Sequence, residues 1–494
     1  MKLRAKILGI EAGGPLVAVL NTKTLKSLGL IATDRVRVMA EKKYVVAIID
    51  SSSTIAEDEI GVFDEVKNLL GLSTGQPVTI IPEEKPASIA SIKKKMAGKA
   101  LAKDEIYEIV TDITDNRLAQ TEIAFFVAAA YMREFSISET ENLAKAMAET
   151  GEMLRFDTKL VADKHCIGGV PGNRTTMTAV PIIAAAGITI PKTSSRAITD
   201  PAGTADVMEV LAPVSHSLDK IKEIIKKTGA CIVWGGGVDI APADDDIIKI
   251  EHPMQLDPTS MLLASVLAKK YAMGAAHVLI DIPFGPGTKC NRQRASDLEK
   301  KFLHIGKNLG MNIKTIKTFG GEPIGNGIGP ALEARDVLYV LKNDKRTPQD
   351  LRKKAVLLSG IVLEMCGKAR KGAGRQMAEK LLASGKAWHK MREIIKAQGG
   401  NPEIAPDKIP IGADTETIIA EKNGYVKAID NDKIKKACRL LGCPNDKGAG
   451  MFLYKHVAGK VKEGDKLFTM YAESGRKLSE AIEFVDANKV FMIK

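Results

Sequence analysis

The chain reads as four stretches with different hydrophobic periods. From residue 1 to 81, short β-rich runs (VAVL, VRVM, YVVAIID, VTIIP) alternate with turns containing Gly and Asp, and Pro82-Glu-Glu-Lys-Pro86 closes the stretch as a linker. A small β-rich domain is expected there. From about 88 to 158 the period turns helical: Ile123, Phe126, Val127 and Ala130 recur at three-to-four spacing, and Ser138-Glu-Thr-Glu141 has the form of a capping box. Beyond 158 the runs LVAD, ITIPK, ACIVW, HVLIDIP and IKTIKTF alternate with helical stretches, which predicts βα units around a mainly parallel sheet. After about 413, TIIAEKNGYVKAI and GKVKEGDKLFTMYA read as strands about Gly turns, giving a small α+β terminal domain.

Composition narrows the class. The 494 residues, 45% hydrophobic and 27% charged, describe a multidomain globular chain. The N-terminal apolar stretch is too short and interrupted for a signal peptide, so a cytoplasmic location is expected. The run Val180 to Ile190, cut by Pro181 and Gly187, falls well short of the roughly 20 residues of a membrane span and reads as core. Six scattered cysteines, without a CxxC pair or clustered histidines, point to reduced thiols and to neither zinc nor a disulfide framework. The net charge of +12 is interleaved with acidic residues and lacks stacking aromatics. A basic enzyme handling small anions is expected, with no nucleic-acid or membrane partner.

Four segments carry candidate chemistry. Leu160 to Thr176 runs from a strand through Gly168, Gly169 and Gly172 into an apolar helix; backbone N–H groups, the helix N-terminus and the Lys164 charge together suit an oxyanion better than a bare βα turn needs. It is not a Walker loop, since no GKS or GKT closes it. One βα unit later, Ile188 to Thr204 runs into Ser194, Ser195, Arg196, Thr199 and Thr204, donors suited to phosphate or ribose, with Thr204 opening the next helix. If the two strands are neighbours in a parallel sheet, both loops emerge at its ligand-binding carboxyl edge.

The third segment is a helix led by Asp257-Pro258, where capping explains the aspartate; Asp257, Met261, Ser265 and Lys269 also form a four-residue stripe. The fourth, His277 to Lys289, places a lysine beyond two glycines at a strand end. Gly325-Asn-Gly327-Ile-Gly329 lacks dinucleotide-binding spacing, and the histidines at 216, 252, 277, 304, 389 and 456 stand apart; both are read as structural.

Asp163-Lys-His-Cys-Ile-Gly-Gly-Val170 resembles the DKHSTGGV signature of the thymidine and pyrimidine-nucleoside phosphorylases, and Ser194 to Thr204 resembles their second phosphate loop. The GGVPGN loop and the SSRAIT form of the second loop are most similar to the archaeal AMP phosphorylases of that family. The resemblance implies an α/β multidomain fold: a β-rich N-terminal domain (1–85), a helical lobe (86–158 and 241–272) hinged to a mainly parallel α/β lobe (159–240 and 273–412), and an α+β C-terminal domain (413–494). It implies that Lys164, Ser194 and Thr204 hold phosphate. Gly169, Ser195, Arg196, Ala197, Ile198, Thr199, Asp200 and Thr204 would line the nucleotide site with Ser265 and Lys289, and Asp257 would donate a proton. Three positions depart from the nucleoside enzymes. Cys166 replaces a serine and is only a weak donor. A base-contacting arginine is missing near Lys249-Ile-Glu-His252, and Lys289 replaces an apolar residue, which suits a substrate carrying its own 5′-phosphate.

The expected activity is phosphorolysis of AMP, with CMP and UMP as further substrates, by a homo-oligomer using inorganic phosphate and neither metal nor organic cofactor. The competing expectations are a pyrimidine-nucleoside phosphorylase, a magnesium-dependent phosphoribosyltransferase, and a non-catalytic nucleotide-binding or partner-recruiting protein.

Overall fold

In the computed structural model, which describes residues 1–494 apart from 198, 199, 239, 255 and 257, the period-two apolar pattern of the N-terminus closes on itself. Strands β1 (Lys2–Ile7), β2 (Val17–Asn21), β3 (Arg35–Ala40), β4 (Lys43–Ser52), β5 (Glu59–Val62) and β6 (Pro77–Glu83) form a closed barrel in the order β1-β5-β2-β4-β3-β6. Alternate residues point inward: Leu3 and Ala5, Val36 and Val38, Ala47 and Ile49, and Val78 and Ile80 are all buried. Closure leaves no unpaired strand edge. Strands β1 and β5 escape a propensity reading, because KLRAKI alternates with charge and EIGV is short.

The chain divides into two compact units, Met1–Gly151 with Ala241–Ser265, and Glu152–Ile240 with Val266–Lys494. Besides the barrel, the first holds helices Ser88–Met96, Lys103–Thr114, Gln120–Met132 and Ile137–Glu149, together with Pro242–Met254. Ile123, Phe126, Val127 and Ala130 are buried, as their spacing predicts. The capping box, however, is Ser136 with Glu139 and not Ser138 with Glu141. Both pairs fit the S-x-x-E form, and packing chooses between them. Glu139 is drawn inside, where it accepts the Lys95 ammonium at 2.8 Å and the Leu101 N–H at 2.9 Å.

In the second unit, five strands run parallel: β7 (Ala162–Cys166), β8 (Ile190–Ser194), β9 (Ala230–Trp234), β10 (His277–Phe284) and β11 (Asn312–Phe319). They pair as β11-β10-β7 and β8-β9. A parallel bridge between Val161 and Thr189 joins the two sets, so β7 and β8 are neighbours and their loops leave by the same edge. Helix Thr175–Ala185 is apolar all round because it is buried between the sheet and helices Gln349–Met365 and Lys386–Ala397. Beyond 413, antiparallel strands Asp414–Ile419, Gly450–Leu453 and Lys466–Ala472 share a sheet with Gly327–Ile328, and a separate core forms around Phe468 and Phe491.

Candidate active site

The loop after β7 needs its glycines. Gly169 has φ +88°, and a Cβ there would lie 2.8 Å from the Lys289 backbone nitrogen; a Cβ on Gly172 would lie 2.3 Å from the Ile324 carbonyl oxygen. The tight course brings charged groups inside. Lys164, fully buried on β7, donates through Nζ to Thr175 Oγ1 at 2.9 Å and Thr176 Oγ1 at 3.2 Å. Burial lowers the pKa of its ammonium, while Cys166 and Asp281 pull it back up. Asn173 Nδ2 donates to Cys166 Sγ at 3.3 Å, so the thiol is occupied within its own loop, and burial raises its pKa. His165 has a pKa well below its ordinary value, first from burial and then from Lys270 and Lys192 nearby.

The loop after β8 is closed at its neck by Asp206, whose Oδ2 accepts the N–H groups of Ala197 at 2.7 Å and Gly203 at 2.8 Å. Ser194 Oγ is buried and has no hydrogen-bond partner among the described residues. Ser195 is exposed, and its carbonyl accepts the Ala205 N–H. Arg196 turns back into the loop: its guanidinium binds Glu209 at 2.6 Å and Asp206 at 3.2 Å and stacks over Trp234. Thr204 starts helix Thr204–Glu209 and accepts Arg174 Nη1 at 3.1 Å. Ile198 and Thr199 lie outside the described residues.

The loops meet at Asp200. Its Oδ2 accepts the Gly169 N–H at 3.3 Å and would lie 3.6 Å from a Cβ on Gly168, where the Lys289 side chain also arrives at 3.8 Å. Gly169, Asp200 and Lys289, remote in sequence, therefore share one corner, with Lys164 on the strand that leads into the first loop and Thr204 opening the helix that follows the second. Ser265 is in the other compact unit, donating to Asp244 Oδ2 at 2.8 Å. Met261 of its stripe is buried, and Asp257 lies outside the described residues.

Several participants had no recognisable sequence signal. Lys435, one of many lysines on an amphipathic helix, donates to the Gly287 carbonyl at 2.9 Å and stands 3.9 Å from Asp200. Beneath the loops, buried Asp163 holds Lys192 at 3.1 Å and Lys270 at 2.8 Å. Burial brings the Lys270 ammonium down to about 7, with Asp163 opposing the shift. The Gly325–Gly329 segment is structural, its Asn326 and Gly327 N–H groups both donating to Asp336 at 2.7 Å.

A parallel sheet whose adjacent loops carry buried cations and hydroxyls is the setting in which the comparisons fall. Residues 90–151 match the glycosyl transferase family helical bundle domain, 158–244 the a/b domain of the same family, and 425–491 the pyrimidine nucleoside phosphorylase C-terminal domain. The AMP phosphorylase of Thermococcus kodakarensis is 50% identical over 98% of this chain and 96% of its own length. The chain belongs to the AMP phosphorylase family. The AMP phosphorylases of Thermofilum pendens and Methanocella arvoryzae, at 43% and 42% identity, each align with 100% of this chain and with 95% and 98% of their own length. The shared fold reaches further still: anthranilate phosphoribosyltransferase from Thermus thermophilus superposes with a TM-score of 0.54 at 19% identity, over 62% of this chain and 99% of that one.

Proposed function

We propose that the protein cleaves AMP with inorganic phosphate, releasing adenine and ribose 1,5-bisphosphate. The observation that carries the reading is the pair of loops in which Lys164 and Arg174 back the hydroxyls of Thr176 and Thr204, beside the unpartnered Ser194 Oγ. Such donors stabilise a phosphate oxyanion and hold it for attack. A phosphate oxygen attacks C1′ as the bond to the base nitrogen breaks, and charge builds on the sugar as in an oxocarbenium ion. Asp257 gives the departing base its proton. Lys289, at the corner shared with Gly169 and Asp200, takes the 5′-phosphate. The finer parts of the reading are acceptance of CMP and UMP, a cytoplasmic setting, and a homo-oligomer assembled in part through residues 1–85, which carry none of these groups. No helix among the described residues is long and apolar enough to cross a membrane.

The test is product release. Incubated with phosphate and AMP, CMP, UMP, adenosine or uridine in turn, the protein should liberate adenine from AMP far faster than any base from the two nucleosides. Asp257→Asn keeps a helix-capping oxygen but has no transferable proton, so kcat should fall about 10²–10⁴-fold with an unchanged melting temperature. Near-normal turnover, or activity lost only in step with unfolding, would return Asp257 to a capping role.

A further inference from the structure

Arg174 caps helix Thr175–Ala185, yet its side chain makes no capping bond and runs inward instead, with 8% of its surface exposed. There its Nε lies in ion-pair contact with Glu333, 1% exposed, on helix Pro330–Leu341, without hydrogen-bond alignment, and its Nη1 donates to Thr204 Oγ1 across the two loops. Glu333 is itself fixed, its other oxygen accepting the Gly329 N–H at 3.0 Å. A buried Arg–Glu pair must be stripped of water on both sides, and apolar residues of like volume usually serve stability as well or better. The pair therefore calls for another explanation.

Hydrogen-bond direction supplies it. A guanidinium has donors only, so Thr204 Oγ1 must accept from Arg174, and its single hydroxyl proton is left to point elsewhere. Lys164 imposes the same polarity on Thr176 in the first loop. The Thr175 proton, by contrast, is spent on Asn173 Oδ1 at 3.0 Å. One hydroxyl on each loop is thus backed by a buried cation and turned into an obligate donor, an arrangement that suits a tetrahedral oxyanion.

We propose that Arg174 is a positioning residue of the phosphate site: held by Glu333, it fixes the Thr204 hydroxyl as a donor to bound phosphate. The proposal rests on the phosphate-site reading above but not on AMP being the substrate.

The experiment uses inorganic phosphate alone, with affinity measured by calorimetry and by the phosphate-dependent rise in melting temperature. Because Arg174→Met leaves a buried carboxylate unpaired, it is made together with Glu333→Gln. The double variant should bind phosphate about 10- to 100-fold more weakly, the worth of a hydrogen bond to a charged group. Thr204→Val should lose a similar factor, and adding it to the double variant should cost little more, since both changes break one interaction. Unchanged affinity in the double variant, or losses that multiply, would overturn the proposal. If the double variant melts too low to titrate, Arg174→Lys decides: it keeps the charge but loses the fork that spans Glu333 and Thr204, so wild-type affinity there would overturn the proposal. A wild-type protein that binds phosphate but frees no adenine from AMP sinks the phosphorylase reading alone. AMP turnover together with unaltered phosphate affinity in the double variant sinks this proposal alone.

Discussion

The two loops at the carboxyl edge of the sheet draw on the same residue types, and they are held together in opposite ways. In the loop after β7, the buried cations Lys164 and Arg174 face hydroxyls, and the carboxylate that steadies Arg174 comes from a distant helix. In the loop after β8, Arg196 is taken up by Asp206 and Glu209 close by in sequence, with Lys447 joining Glu209 at 2.9 Å. The first loop's cations are turned toward hydroxyls; the second loop's arginine is turned onto carboxylates of the helix that follows it. Counting basic and hydroxyl residues cannot separate the two cases, because the position of the carboxylates decides them.

The sharpest way to break this comparison is Lys164→Met, which keeps the volume and removes the buried charge. Phosphate affinity should fall about 100-fold or more, since one ammonium backs two hydroxyls. Stability should not fall with it. Burial already disfavours the Lys164 charge, so the phosphate-free variant should melt at or above the wild-type temperature. Thermal unfolding with and without phosphate checks both halves. A large loss of stability with phosphate affinity intact would make Lys164 a structural cation like Arg196.

Lys289 sharpens the comparison from a third loop, where it meets Gly168, Gly169 and Asp200. Lys289→Ala should raise KM for AMP about 10- to 100-fold, as expected for a lost charge-assisted contact, with little change for adenosine. Steady-state kinetics with both substrates checks this. Equal losses would remove the 5′-phosphate from Lys289.

These contrasts mark what the sequence made legible. The strands β7 to β11 and the glycine loop were readable because short apolar runs, buried nearly without a break in β7 to β10, and the tight turns that bound them are local properties. That β7 and β8 are neighbours stood only as a condition in the sequence, and it is the parallel bridge between Val161 and Thr189 that meets it. Arg174 was silent because its meaning lies in Thr204, a β-strand away, and in Glu333, far along the chain. The capping box was misplaced by two residues because the choice between Glu139 and Glu141 depends on Lys95, more than forty residues earlier. The surroundings of Arg196 were not legible, because nothing in its neighbourhood reveals that helix Thr204–Glu209 turns two carboxylates back onto it.

The smallest expected effect belongs to that inward-facing set. The Arg196 hydrogen bond, then Lys447, hold the Glu209 carboxyl down to about 2 from its ordinary 4.5. Between those values the native carboxyl is ionised while the unfolded one binds a proton, so its contribution to stability is complete above about pH 4.5 and disappears as the pH falls toward 2. Glu209→Gln should therefore lower stability near neutral pH by about 1 kcal/mol or less, because the pair is partly open to solvent. Wild type and variant should converge in acid. Phosphate affinity should stay within about twofold, since no charge facing the ligand is lost. Denaturant unfolding between pH 2 and 7, set beside phosphate titration at neutral pH, checks both. A Glu209→Gln variant that unfolds like wild type at every pH but loses phosphate would put the Arg196 charge at the ligand, and the opposition between the two loops would collapse.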